Sequence, residues 1–234
     1  VAQRGVALLF ADTVDLSDVR EHRDTDGRIL VVSATLYRNH KVAFIVSYAP
    51  SGTDVANRDF FGTLTRFVTS HVPDLDSRHV VWLGDHNNIA NAALDQLPSP
   101  AEGGPGPCHP TGGAAFSTAV ADLHVRDAFR HLHTAAREFT RVPRGGAAAA
   151  GHASRRLDRI CVSPSLLRRS GAPRVRAAWH MRALDPLLQP RFQDAHGGAA
   201  ARPSDHGAVA CLLAFSGQPR PAQPWTFRPH HLLV

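Results

Sequence analysis

The sequence predicts an α+β fold in which two packed β-sheets are flanked by helices. Two observations support this prediction. Apolar segments rich in β-branched residues recur along the chain with few helical stretches between them. Asp-containing polar sequences end, interrupt or precede three of those segments. At 234 residues, 43% of them hydrophobic, the chain suits one sizeable domain, which we place at residues 1–217, followed by a linker or tail over 218–234.

The first elements are predicted to be three strands. Residues 5–10, 28–36 and 40–49 are continuous, mostly apolar segments with abundant Val, Ile, Leu and Phe. Residues 37–39 separate the last two strands by a short polar turn, a spacing that is typical of a β-hairpin.

A helix is predicted next, after Pro50. Phe60, Leu64 and Phe67 recur at a helical spacing, and Ser51, Thr53 and Asp54 precede them as candidate N-terminal caps. The apolar face of this helix should lie on the sheet. The strand that follows, residues 79–83, then leads directly to Asp85.

The second half of the chain alternates loops and strands. Residues 97–114 are rich in Pro and Gly and predict a long surface loop, and residues 145–151 predict another. Strands are predicted around Leu157–Val162 and over residues 174–184 and 207–215.

Several kinds of site are disfavoured. The three cysteines are far apart and form no C-x-x-C, which argues against a structural zinc site or a disulfide framework. His131 and His133, at i and i+2, cannot share one helix face. The longest apolar run, residues 208–215, is well short of the ~20 residues of a membrane span. We therefore expect no membrane partner.

The charge favours a polyanionic partner. The net charge is +6, and of 26 basic residues Lys41 is the single lysine. Arginine binds phosphate in bidentate fashion and stacks on bases, although a compositional bias toward Ala, Arg, Gly and Pro explains the count equally well. The arginines that would suit a DNA backbone are Arg155, Arg156, Arg159, Arg174, Arg176 and Arg182.

Three polar sequences carry the candidate chemistry: GDHN with Asp85 and Asn87, LDR with Asp158, and SDHG with Asp205 and His206. A carboxylate beside a strand is costly unless a metal, a histidine or hydrogen bonds compensate it. Together they could supply a Mg²⁺ ligand, a charged imidazole and a group that activates water for phosphate hydrolysis. Taken singly, each also fits a turn cap or an ordinary ion pair.

In order and context, WLGDHN, RRLDRICVS and SDHGAV resemble the motifs of the endonuclease/exonuclease/phosphatase superfamily, and SYAPS at residues 47–51 resembles its Y-A-P stretch. GVALLF, DAFRHLHTAAREFTR and WTFRPHHLLV are similar to endonuclease domains of LINE-type non-LTR retrotransposon polyproteins. The resemblance spans nearly the whole chain. It implies a four-layer α/β-sandwich with the site at one edge of the two sheets.

The resemblance also assigns roles. Asp85 and Asn87 match the pair that handles the attacking water and the scissile phosphate, and Tyr48 matches a tyrosine near that phosphate. Asp158 matches the acid that orients the catalytic histidine, here His206. Asp205 matches an acid of the metal site, for which Mg²⁺ is expected and Mn²⁺ is an alternative.

Two departures accompany the match. An asparagine motif and a Q-E glutamate, the principal Mg²⁺ ligand, normally precede GVALLF, so we expect a domain that lacks its first strand and helix. His86 stands where the superfamily usually has Phe, and it could pack there or titrate beside Asp85.

The resemblance implies a Mg²⁺-dependent endonuclease that nicks DNA, acting on nuclear DNA if the chain derives from a retroelement and preceding a reverse-transcriptase domain in a longer polyprotein. Two alternatives remain. One is a degenerate copy that only binds nucleic acid. The other is a phosphatase of the same superfamily, since this fold carries several substrates.

Overall fold

The computed structural model describes residues 5–97, 110–141, 154–169, 175–177, 209–211 and 213. The strands of its larger sheet are β1 (Leu16–Arg23), β2 (Ile29–Leu36), β3 (His40–Tyr48), β4 (His79–Asp85), β5 (Arg126–Asp127) and β6 (Asp158–Val162). Their order is β1-β2-β3-β4-β6-β5, with β3 and β4 parallel and the other neighbours antiparallel.

Two further strands, β7 (Val175–Ala177) and β8 (Val209–Cys211), form a separate antiparallel pair. The helices are α1 (Asp54–His71), α2 (Ala92–Asp95), α3 (Pro110–Asp122), α4 (Ala128–Leu132) and α5 (Pro164–Arg169), and Leu75–Ser77 form a 3₁₀ turn. The predicted α+β class, with two sheets and flanking helices, is confirmed.

The predicted hairpin is formed by β2 and β3, which pair without interruption from Ile29 opposite Ser47 to Leu36 opposite His40. The connecting turn places Tyr37 and Arg38 at φ values of 46° and 69°. Two successive positive φ values match the right-handed twist of paired strands, which explains why so short a connection closes this hairpin.

The predicted helix is α1, and Thr53 caps it by accepting the Ala56 N–H at 3.1 Å. Phe60, Phe61 and Leu64 on its buried face pack against the sheet, in the cluster that also contains Trp82. The alternation of residues along a strand sends Trp82 to this face and its neighbours to the other.

The opposite face of the sheet is covered in two places. At one end, Phe129 of α4 and Leu166 of α5 pack on Val81 and Val162, and Cys211 of β8 joins this cluster. At the other end, an irregular segment covers Leu30, Val32 and Val46.

That irregular segment is residues 5–10, and the strand predicted there is a wrong prediction. Val6, Leu8 and Phe10 pack against the sheet while Leu9 is exposed, so the segment keeps a two-residue alternation. It has no strand partner among the described residues, and alternation without a partner does not form a strand.

The strand that occupies the edge instead is β1, which the sequence did not predict. Its residues are mostly exposed, and Asp18 at φ 52° lies in an irregularity of the pairing between Ser17 and Arg20. Charged residues and a bulge are common features of edge strands because they discourage pairing with another chain.

The long loop predicted over residues 97–114 is wrong at its end, because α3 begins at Pro110. Proline is favourable in the first turn of a helix, where its missing N–H has no partner to lose. Residues 98–109, with Cys108 and His109, lie outside the described residues.

Gly84, next to the end of β4, must be a glycine. Its φ is 149°, and a Cβ placed there would lie 1.8 Å from the Ser47 backbone oxygen. The missing side chain thus lets β3 and β4 approach closely where Tyr48 lies opposite Asp85.

None of the described helices is both long and apolar enough to cross a membrane.

Candidate functional site

Three predicted site residues form one row across adjacent strands. Tyr48 at the end of β3 lies opposite Asp85 at the end of β4, and Asp85 lies opposite Asp158 at the start of β6. Neighbouring strands lie about 4.8 Å apart, so the three backbones are within reach of a single ligand.

All three side chains point to the same face of the sheet. On β4, Trp82 packs toward α1 and α3, whereas Val81 and Leu83 pack on the opposite face, and Asp85 has their parity. Directly paired residues share a face, so Tyr48 and Asp158 point there too. The site therefore lies on the face away from α1 and α3.

Asp85 and Asn87 form a tight turn directly after β4. The Asp85 Oδ1 accepts the Asn87 N–H at 2.9 Å, and Asn87 has a φ of 47°. The Asn87 side-chain amide donates to the backbone oxygen of Ala49 at 2.8 Å, and the Ala49 N–H donates to the backbone oxygen of Asp85 at 2.9 Å. The loops after β3 and β4 are thus tied to each other.

Asp158 is fixed from its own side. The Thr140 hydroxyl accepts the N–H groups of Leu157 and Asp158, both at 3.0 Å. The His86 N–H donates to the Leu157 oxygen at 3.0 Å, so β6 also holds the loop after β4.

Two of the arginines predicted to contact DNA are buried instead. Arg156 and Arg159 are 3% and 1% exposed. Arg156 bonds to the carboxylates of Asp95 (2.8 Å) and Asp127 (2.7 Å), and Arg159 bonds to the Asn88 oxygens. A buried guanidinium needs such partners, so neither residue can bind a phosphate backbone. Arg155 is partly buried, the side chain of Arg176 is not described, and Arg174 and Arg182 lie outside the described residues.

Asp95 is the centre of this buried ionic cluster. Burial disfavours its carboxylate, but hydrogen bonds and charges of Arg156, Arg159 and Arg130 outweigh burial and lower the pKa of Asp95. Burial also disfavours the charged form of Arg159, and together with the charge of Arg156 it lowers the pKa of that guanidinium. The cluster joins α2 and α4 to β6 directly behind Asp158.

Arg28, which the sequence analysis did not select, lies beside the row. Its guanidinium donates to the backbone oxygen of Tyr48 at 2.9 Å and lies 5.3 Å from the centre of the Tyr48 ring. Arg28 directly precedes β2 and follows a turn, a position at which sequence offers no sign of function. It supplies a positive charge next to Tyr48.

His86 is completely buried, and it packs as an aromatic residue. Its ring lies against Trp82 and Phe116 at centroid distances of 4.7 and 4.9 Å, and it stacks on Phe61. Both ring nitrogens lack a hydrogen-bond partner among the described residues. Burial, followed by the charges of Arg159 and Arg156, lowers the pKa of His86 well below 6.5. His86 therefore packs neutral, as the first of the two predicted roles requires.

Replacing His86 by phenylalanine should stabilise the protein. The unfolded chain takes up a proton on His86 below pH ~6.5, whereas the folded chain does so only at a much lower pH. Stability of the parent therefore falls as pH drops through 6.5. His86→Phe removes this loss and two unpartnered nitrogens, for a gain of about 1–2 kcal/mol at pH 8 that widens at pH 5. Urea unfolding at the two pH values measures it.

His131→Phe is the matched control, because His131 is exposed. Its free energy of unfolding should stay within about 0.5 kcal/mol of the parent. A His86→Phe gain that is the same at pH 5 and pH 8 would contradict a neutral buried ring.

Asp205 and His206, the predicted metal ligand and catalytic histidine, lie outside the described residues. Among the residues that are described, no group of three or more His, Cys, Asp or Glu side chains is arranged to hold a metal. Cys161 and Cys211 are free thiols in this part of the chain.

The donor chemistry of the row does suit a hard divalent cation. Asp85 and Asp158 place two carboxylates directly opposite each other on neighbouring strands. Oxygen donors of this kind are those that Mg²⁺ prefers. The negative charge of these two carboxylates favours a divalent cation beside the row.

The fold is similar to that of several nucleic-acid enzymes. An AP endonuclease from Archaeoglobus fulgidus superposes with a TM-score of 0.56 at 20% identity, over 86% of this chain and 72% of that one. A 3′ phosphatase from Neisseria bound to a product DNA hairpin gives 0.55 at 23% identity (86% and 72%). A 3′–5′ exonuclease from Neisseria meningitidis gives 0.55 at 24% identity (86% and 73%).

No family model matches the chain. No curated protein sequence matches it either. At these identities the structural likeness establishes the fold. The chain therefore has the fold shared by these AP endonuclease, 3′ phosphatase and 3′–5′ exonuclease structures.

Proposed function

We propose that this chain is a Mg²⁺-dependent phosphodiester hydrolase that nicks DNA. The observation that carries the proposal is the row of Tyr48, Asp85 and Asp158 at one end of three adjacent strands, with Asn87 in the turn that follows. The shared fold with a DNA-bound 3′ phosphatase and with an AP endonuclease supports it.

The proposed roles follow from charge and position. Asp85 takes a proton from the attacking water, and the Asn87 amide donates to a phosphate oxygen. Asp158 orients His206, whose imidazole stabilises charge at the phosphorus. Arg28 attracts the phosphate beside Tyr48. Asp205 would help to hold a Mg²⁺ ion, which would supply positive charge to neutralise the phosphate.

DNA is the favoured substrate because the net charge of +6 and Arg28 both attract a polyanion. The retroelement part of the proposal rests on the sequence resemblance alone. It implies nuclear DNA as the substrate and a reverse-transcriptase domain downstream of the 1–217 domain and the 218–234 segment in a longer polyprotein.

Nicking of supercoiled plasmid by the purified chain tests the proposal. Nicked circles should form when the parent is given Mg²⁺. They should be absent with EDTA and absent with His206→Ala, although the parent and this variant both bind DNA. Release of phosphate from a 3′-phosphorylated oligonucleotide in the same buffer tests the phosphatase alternative. A folded chain that binds DNA but never nicks it would instead be a silent nucleic-acid-binding module.

A further inference from the structure

We propose that Asn57 of α1 is a positioning residue that holds the two loops of the candidate site in register; its catalytic consequence rests on the proposed function. The loops are residues 49–53, after β3, and residues 86–91, after β4. Asn57 lies at the end of the first turn of α1, within hydrogen-bond distance of both loops.

The side-chain amide of Asn57 reaches both loops at once. Its Nδ2 lies 3.0 Å from the Pro50 oxygen, 3.1 Å from the His86 oxygen and 3.3 Å from the Asn87 oxygen. The His86 oxygen also accepts from the Asn88 amide. In the described part of the chain, the Pro50 and Asn87 oxygens accept from a side chain only at Asn57.

Packing alone does not explain an asparagine at this position. Asn57 is 0% exposed and shares the buried face of α1 with Phe60, Phe61 and Leu64. Its Oδ1 is buried without a hydrogen-bond partner among the described residues. A buried polar atom without a partner destabilises a fold, so the asparagine is explained by the carbonyls to which its Nδ2 donates and not by the packing of this face. Rules of stable packing are broken most often at functional sites.

The two carbonyls of residues 86 and 87 flank the left-handed turn at Asn87, which has a φ of 47°. That turn places the Asn87 N–H on Asp85 Oδ1 and the Asn87 amide on the Ala49 oxygen. A non-glycine residue at positive φ persists only where its surroundings hold it. Without the Asn57 donors, the turn is free to relax and Asp85 loses a fixed partner.

Asn57→Leu tests this inference, because leucine fills the site but donates nothing. We expect a fall in kcat for plasmid nicking of about 10- to 100-fold with KM nearly unchanged, since small misplacements of catalytic groups have effects of this size. Backbone amide exchange should accelerate at Ala49 and Asn87 about tenfold more than at Val31 in β2. A merely structural role would not produce this selective change.

Val68→Ala is the matched control. Val68 is on the same face of α1 and fully buried, about three turns along the helix from Asn57. It should lose stability but keep the parent kcat well below its melting temperature, with no selective exchange at Ala49 and Asn87. Asn57→Ser, a smaller change whose hydroxyl is too short to span three carbonyls, replaces Asn57→Leu if the leucine variant does not fold.

Amide hydrogen exchange tests the positioning role of Asn57 independently of catalytic activity. If Ala49 and Asn87 exchange at the parental ratio to Val31 in the Asn57 variant that folds, Asn57 does not position the loops and the inference is overturned. If the parent cleaves no phosphodiester but the selective acceleration is present, the proposed function fails while the structural role of Asn57 is supported.

Discussion

Asp85→Asn should lower the rate of DNA nicking by about 10²–10⁴-fold, the usual contribution of a positioned proton acceptor. Asparagine has nearly the same volume as aspartate, and its oxygen can still accept the Asn87 N–H that Asp85 Oδ1 accepts at 2.9 Å. It cannot take a proton from water, and it removes one of the two opposed carboxylates of the row. The change therefore alters the chemistry with little effect on the turn.

Single-turnover nicking of supercoiled plasmid with Mg²⁺ gives the rate, and fluorescence anisotropy of a labelled duplex at fixed salt gives the affinity. The affinity should be equal to or above that of the parent, because a negative charge facing DNA is removed. Asp59→Asn, an exposed carboxylate on α1, is the control and should cleave at the parental rate. Parental cleavage by Asp85→Asn would eliminate Asp85 as the proton acceptor.

The elements that place the row could be predicted from sequence because their patterns are strong. The continuous apolar runs of β2, β3 and β4 predict buried strands, and the helical spacing in α1 specifies its buried face. The sequence predicts Asp85 just after the strand over residues 79–83 and Asp158 inside the strand around Leu157–Val162, and in the structure Asp158 begins β6. What the sequence could not supply is the direct pairing of Asp85 with Asp158, since register arises between strands 73 residues apart.

The edges of the sheet were predicted poorly, for a physical reason. An edge strand is hydrogen-bonded to the sheet on one side only, and most residues of β1 are exposed, so β1 carries charged residues where β2 carries valine. Residues 5–10 have the opposite combination, since they are apolar and alternating but have no strand beside them in the described part of the chain. An alternating apolar pattern indicates that one side of a segment is buried, whereas a β-strand also needs a neighbouring strand as its hydrogen-bond partner.

The prediction that Arg156 and Arg159 contact DNA is wrong because both guanidinium groups are buried. An excess of arginine favours a polyanionic partner only where the guanidinium groups face solvent. Here the compensating acids, Asp95 and Asp127, are about 30 to 60 positions away in sequence and meet the arginines only in the fold. Of the positive charges described near the row, Arg28 is the one that contacts Tyr48.

The same cluster yields the largest expected effect on stability. Asp95→Asn should lower the free energy of unfolding by about 3–5 kcal/mol at pH 7, the usual cost of removing one partner from a buried ion pair. The Asp95 carboxylate is 0% exposed and bonds to Arg130 and Arg156 at 2.6 and 2.8 Å, with Arg159 at 3.6 Å. The variant leaves Asp127 as the remaining described acid for these buried guanidiniums.

Urea unfolding of parent and variant checks this value, and Asp59→Asn is again the control. The Arg58–Asp59 pair is exposed, at 47% and 62%, so its loss should change stability by at most about 1 kcal/mol.

The pH dependence of the difference between parent and Asp95→Asn supplies an independent test. Because folding lowers the pKa of Asp95 from 3.8, its contribution is complete above pH 3.8 and is lost as pH falls through the lower folded value. The gap between parent and Asp95→Asn should therefore be constant from pH 7 to pH 5 and narrow only in stronger acid. A gap that closes already between pH 7 and pH 5 would show that a histidine, and not this carboxylate, governs the stability of the cluster behind Asp158.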